Sequence, residues 1–123
     1  MNPTNLSVIA AWSLLLLGVA HLLFALVKFS EPLLAAFRAG FVGQFVKPEN
    51  RRTAFWFAIF GVPLTAVGHS AVHAVAAGDL ALLRIIGCYV FVASCIGFAA
   101  FPKSPFPASL VVAAMLLAAG YGS

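Results

Sequence analysis

Three histidines are the residues of this chain best suited to chemistry, and two of them lie one helical turn apart. His69 and His73 are at positions i and i+4, so a helix places both on one face. A neutral imidazole both donates and accepts a hydrogen bond and is a competent general acid or base. The spacing therefore predicts either a polar contact for a bound molecule or a proton-transfer pair.

Further polar side chains are expected on the next helix, at the same level along the helix axes as this pair. Counted inward from the turn that follows residue 77, Cys88 falls at nearly the depth of His69, and Arg84 falls near that of His73. Ionisable groups within a membrane usually face the interior of a helix bundle and mark functional sites. We therefore predict a ligand-binding pocket formed by His69, His73, Cys88, Arg84 and Thr65.

Metal and haem chemistry are less well matched by the sequence. Two histidines and a thiolate are adequate ligands for zinc or copper, but no paired cysteine or acidic cluster completes a recognised site. His21 and His69 on facing helices would be offset by roughly 12 Å in depth, too far for the two axial ligands of one haem. We expect no metal and no other cofactor. His21 and Asp79 are expected to be structural residues or alternative polar contacts.

The elements that position these residues are hydrophobic segments. The chain is 63% hydrophobic and 8% charged, with a mean hydropathy of +1.09, well outside the range of soluble domains. A hydrocarbon core about 30 Å thick requires about 20 helical residues, which three segments reach and a shorter fourth approaches. The composition predicts an all-α polytopic membrane protein, a single domain over residues 1–123 that forms an antiparallel four-transmembrane-helix bundle. Its spans are expected at about 6–28, 53–77, 80–101 and 107–122.

The basic residues predict how the chain crosses the membrane. Six of the seven Lys and Arg residues lie in the connections after the first and third spans, and Arg84 alone lies on the other side. Because Lys and Arg are retained in the cytoplasm, both termini are expected outside it. The net charge of +4 is therefore a topology signal with the lipid bilayer as partner, and it does not indicate nucleic acid binding.

Two further patterns concern packing. Residues 32–46 carry apolar side chains at helical spacing with basic residues off that stripe, which predicts an interfacial amphipathic helix between spans one and two. Small residues also recur on one face of span one, around Gly18, and on one face of span two, around Gly61, Thr65 and Gly68. Small residues allow membrane helices to approach closely, so these two faces are predicted to meet.

Three parts of the chain resemble a known family. They are the His-containing first span, the opening of span two, FWFAIFGVPL, and the turn before span four, FPKSPFP. Together they resemble a family of small bacterial four-helix membrane proteins of unknown function, broadly DoxX-like. The resemblance covers nearly the whole chain and implies a multi-pass protein of the bacterial inner membrane, without implying any catalytic residue.

Three functions are compatible with these observations. The first is binding of a lipophilic small molecule, such as a quinone, terpenoid or sterol-like compound, in the pocket between the helices. The second is a role as an accessory or oligomeric subunit, with a second copy or another membrane protein as partner and histidines that only join helices. The third is a small membrane isomerase or cyclase that uses His69 and His73 for proton transfer.

Overall fold

The described part of the chain, residues 3–104 and 106–122 of a computed structural model, contains five α-helices and no β-strand. The helices are α1 (Pro3–Lys28), α2 (Ser30–Arg38), α3 (Glu49–Ala77), α4 (Leu80–Ala100) and α5 (Phe106–Tyr121). Each of the four predicted hydrophobic segments therefore forms one helix. Within the described residues, three helices (α1, α3 and α4) are long and apolar enough to cross a membrane, whereas α5 is a shorter apolar helix.

The helix that follows α1 is shorter than the predicted helix over residues 32–46. Beyond Arg38 the backbone adopts positive φ angles at Gly40 (110°), Phe41 (68°) and Gly43 (74°). A right-handed helix cannot continue through such positions, and two of the three are glycines, which adopt them without steric cost. Residues 41–46 therefore form consecutive turns that lead back toward α3.

The first pair of helices, α1 and α3, packs along an antiparallel seam of small residues. A Cβ atom at Gly18 would lie 2.6 Å from the Cα atom of Thr65, and one at Gly68 would lie 2.4 Å from the Cα atom of Leu15. Such distances leave no room for a side chain, so the two backbones touch at these points. The predicted meeting of these two faces is confirmed.

The second pair, α4 and α5, is joined by both packing and hydrogen bonds. The Ser94 and Ser109 hydroxyl groups lie 2.7 Å apart, and Ser94 is 2% exposed. A Cβ atom at Gly97 would overlap the ring of Phe106, so this glycine makes room for an aromatic side chain. Each pair thus has its own interface of small and polar residues.

The two pairs meet chiefly through α1 and α5, while α3 and α4 share few contacts although they are consecutive. The cluster of buried apolar residues that we call the core lies at the end of the molecule that carries the α3–α4 turn, which we call the turn end; Ala25, Ala36 and Ala54 are also fully buried, outside this cluster. We call the opposite end, near α2, the α2 end. The core residues are Ala10, Ala11, Leu14, Ala71, Leu83, Ile86, Val112, Leu116 and Ala119.

Candidate functional site

The histidine pair predicted to contact a ligand is exposed on α3. His69 and His73 are both exposed, and Ser70 between them donates its hydroxyl proton to the Ala66 carbonyl oxygen of the same helix. Thr65 lies in the α1–α3 seam, where its Oγ1 donates to the Gly61 carbonyl oxygen at 2.7 Å. Thr65 therefore serves helix packing, and the two histidines face the surroundings of the helices.

Arg84 and Cys88, the predicted neighbours of the pair, have other environments. Arg84 Nε donates to the Gly120 carbonyl oxygen at 2.5 Å, and its guanidinium carbon lies 4.9 Å from the ring centroid of Tyr121. Arg84 therefore holds a carbonyl group at the end of α5, where a helix leaves carbonyls without helical donors. Cys88 is a free, exposed thiol on α4. Among the described residues, no three His, Cys, Asp or Glu side chains are close enough together to hold a metal ion.

Asp79 caps α4. Its Oδ1 accepts a hydrogen bond from the Leu82 backbone N–H at 2.9 Å, as an aspartate at a helix N-terminus commonly does. Gly78 before it has a φ of 69°, and the Asp79 N–H donates to the Ala74 carbonyl oxygen, which closes the end of α3. This carboxylate is thus used by the turn, and proton transfer by His69 and His73 stays a prediction.

His21 makes the most specific contacts of the three histidines. Its Nε2 donates to the Phe57 carbonyl oxygen at 2.7 Å, so it joins α1 to α3. Its ring stacks on the Phe57 ring with centroids 4.3 Å apart and an interplanar angle of 19°. Gly61 allows this approach, because a Cβ atom there would lie 3.1 Å from His21 Cδ2. The second ring nitrogen, Nδ1, has no hydrogen-bond partner among the described residues and is an acceptor in the neutral ring.

One side of α1, next to the seam with α3, becomes progressively exposed toward the α2 end. Leu14, Leu17, His21 and Phe24 follow one another at steps of three or four residues and so share one face. Leu14 is fully buried in the core, Leu17 and His21 are half-buried, and Phe24 is 52% exposed. Gly18, which meets α3, and Ala25 stay buried on the adjoining side of α1, so the loss of burial is confined to the side that carries Leu17 and Phe24.

The same change occurs on α3 and α5. On α3, Ala71 is fully buried, Leu64 on the same face is half-buried, and Phe60 is 51% exposed. On α5, Val112 is 8% exposed, and Ala108 one turn earlier is exposed. The matched loss of burial indicates that the two helix pairs diverge toward the α2 end. We call the surface formed by these exposed and half-buried side chains the cleft; they are Leu17, His21, Phe24, Phe60, Leu64 and Ala108.

The cleft combines an apolar lining with one polar side chain. Small-molecule sites in proteins have this composition, with few polar groups that set orientation. Sequence reasoning placed the ligand contacts at His69 and His73 and treated His21 as structural or as an alternative polar contact. The side of α1 from Leu17 to Phe24 was not singled out from the sequence, because its loss of burial depends on how the two helix pairs pack.

One comparison with known proteins gives a match. The family model described as a family of unknown function, DUF6463, matches residues 5–122. The chain belongs to this family. No curated protein and no solved structure matches the chain. This match agrees with the resemblance drawn from the sequence in one respect: both point to a family whose function is unknown. It identifies no site residue.

Proposed function

We propose that the protein is a polytopic protein of the bacterial inner membrane whose four longer helices cross the bilayer as an antiparallel bundle. Three of them have the required length and apolar character, and α5, about 24 Å long, can cross where the bilayer thins locally. Six of the seven Lys and Arg residues lie at the α2 end, which favours a cytoplasmic position for that end and external termini. A DoxX-like relationship is part of the same proposal.

Within this membrane protein, the cleft is proposed to bind a lipophilic molecule, and His21 is proposed as its polar contact. The observation that carries the proposal is the matched loss of burial on one side each of α1, α3 and α5, at Phe24, Phe60 and Ala108. Because Nε2 is engaged by Phe57, the neutral ring offers Nδ1 as an acceptor, which favours a ligand hydroxyl group. A terpenoid alcohol, a sterol or a quinol supplies such a group. The proposed site is thus distinct from the pair His69 and His73.

The test compares two variants that fill or alter the cleft with matched controls. Binding of farnesol and of its methyl ether to the full-length protein in nanodiscs is measured by native mass spectrometry. Ala108→Phe fills the cleft and should abolish binding, whereas Ala114→Phe, at an exposed position of the same helix, should leave binding unchanged. His21→Phe keeps a ring against Phe57 but removes the acceptor, and it should weaken farnesol binding about threefold or more.

Two outcomes would overturn the cleft proposal. One is equal binding of farnesol and its methyl ether to the wild-type protein, since the ether has no proton to donate to Nδ1. The other is weaker binding in His69→Phe than in His21→Phe, which would return the site to the exposed pair. Thermal unfolding of each variant, measured alongside, identifies variants that fail to fold.

A second candidate function is favoured by the exposure of His69 and His73. Polar side chains that face hydrocarbon lack hydrogen-bond partners, and partners are usually supplied by a neighbouring helix. Two copies of the same face satisfy one another, because each neutral imidazole both donates and accepts. This supports a role as a homo-oligomeric subunit, with the His69 and His73 face as the contact between copies.

A further inference from the structure

A second concave surface lies at the start of α3, away from the cleft. It is an open groove of about 500 Å³ between the turns of residues 41–46 and the first residues of α3. Its lining includes four aromatic side chains, Phe41, Phe45, Phe55 and Trp56, and one basic side chain, Arg52. Apolar side chains on its rim are widely exposed, with Val42 at 85% and Trp56 at 63%.

The aromatic wall of the groove is a continuous series of ring contacts. The ring centroids of Phe41 and Phe45 are 5.2 Å apart, those of Phe45 and Phe55 are 5.2 Å apart, and those of Phe55 and Trp56 are 5.4 Å apart. Such distances are those of favourable aromatic pairs. The turns of residues 41–46 are therefore packed onto α3 as a defined surface.

Backbone strain at Phe41 also indicates that the turns of residues 41–46 are held in a defined conformation. A bulky residue at positive φ is a true outlier, and such outliers persist only where the surroundings hold them. At Phe41 the N–H donates to the Ala36 carbonyl oxygen at 2.9 Å, and the Phe41 carbonyl oxygen accepts from the Gln44 N–H at 3.1 Å. These bonds hold the Phe41 ring at the groove.

The two arginines at the start of α3 differ in what they bind. Arg51 donates through one terminal nitrogen to the Gln44 Oε1 at 3.2 Å, which ties the turns to α3. Arg52 lines the groove and forms no hydrogen bond or ion pair with the residues that the structure describes. The groove thus combines an aromatic wall with one uncompensated cation.

We propose that the groove binds an anionic phospholipid, with its phosphate on Arg52 and an acyl chain along the aromatic wall. A guanidinium matches a phosphate by paired charge-assisted hydrogen bonds, and aromatic residues are enriched where membrane meets water. An acyl chain covers the exposed apolar rim, and the net negative charge of the lipid balances Arg52. This inference uses the proposed membrane location but does not depend on the cleft or on His21.

The test measures lipid retention by the full-length protein in detergent with native mass spectrometry. The probes are phosphatidylglycerol and phosphatidylcholine with identical acyl chains. The wild-type protein should retain more phosphatidylglycerol, and Arg52→Gln should reduce its retention about fivefold, the loss of one cation at a membrane surface. Arg38→Gln, an exposed arginine of α2, is the control for charge in general and should have little effect.

The apolar part of the site has its own variants. Trp56→Ala should weaken retention of both lipids, and Trp12→Ala, at a 50% exposed position of α1, should not. Equal effects of Arg52→Gln and Arg38→Gln, or equal retention of the two lipids, would overturn the proposal. A dimer that dissociates in Trp56→Ala while lipid retention is unchanged would show that a second copy occupies the groove. Lipid retention and dimer dissociation are both measured independently of farnesol binding in the cleft.

Discussion

At the scale of single residues, the α1–α3 seam depends on positions that have no side chain. Gly18 and Gly68 bring backbone atoms of one helix against those of the other. Backbone cannot move aside as the end of a flexible side chain can, so a larger residue must push the helices apart. The same close approach places His21 within hydrogen-bond reach of the Phe57 carbonyl oxygen. Packing in the seam and the geometry of the cleft histidine are therefore linked.

Gly68→Leu tests this dependence. Its Cβ atom would lie 2.4 Å from the Cα atom of Leu15, so we expect a loss of stability at or above the roughly 1–3 kcal/mol typical of overpacked cores. Thermal unfolding in detergent, followed by circular dichroism, measures the change. Ala66→Leu, at an exposed position of the same helix, is the control. Equal melting temperatures for the two variants would show that the seam does not hold α1 and α3 together.

The three histidines show how much of a side chain's environment can be predicted from the sequence. Spacing correctly placed His69 and His73 on one face, since that follows from helix geometry alone. Whether the face is covered depends on which helices pack against it, and the pattern of residues 65–73 does not contain that information. Depth counting separated His21 from the pair, but its contact with Phe57 required the close approach at Gly61.

At the scale of elements, the sequence indicates where a helix begins or ends when a strong local signal is present. It does not indicate the conformation of the connections in the same way. The end of α3 and the start of α4 coincide with Gly78 and Asp79, residue types that commonly stop and start helices, whereas α3 begins at Glu49, four residues before the expected span. α2 ends at Arg38 because Gly40 and Phe41 leave the helical region, although the apolar spacing continues to residue 45. Periodicity alone cannot detect such a change of backbone conformation.

Asp79→Ala tests the signal that begins α4. Loss of the hydrogen bond between Oδ1 and the Leu82 N–H should cost about 1 kcal/mol, as for other N-caps. Asp79→Asn keeps an acceptor oxygen and should recover most of that stability. Circular dichroism melting of both variants in detergent provides the comparison. A melting temperature in Asp79→Ala equal to that of the wild type would mean that the cap does not contribute to stability.

At the scale of the whole molecule, the helical class and the small-residue seam could be predicted, and the separation of the two helix pairs could not. Hydrophobic length specifies how many long helices form, but the tilt between pairs depends on side chains that meet far apart in the chain. Helices joined by a short turn are commonly close neighbours, yet α3 and α4 share few contacts.

Cross-linking between copies tests the second candidate function at this scale. In a background with Cys88→Ser and Cys95→Ser, His69→Cys should form a disulfide-linked dimer in membranes under mild oxidation. Leu23→Cys, at a 60% exposed position of α1, should remain monomeric on gels without reductant. A monomeric His69→Cys, or equal dimer formation by both variants, would contradict contact through the histidine face.

The pairing of helices also determines the order in which the protein can assemble as it is synthesised. The α1–α3 seam joins the first two long helices, so it can close once residue 77 has been synthesised and released from the ribosome. α4 and α5 form a second hairpin with its own Ser94 and Ser109 contact. The two hairpins then meet in the core at the turn end, which contains Leu14 of α1 and Leu116 of α5. The cleft therefore lies where two hairpins that can each close on their own come together.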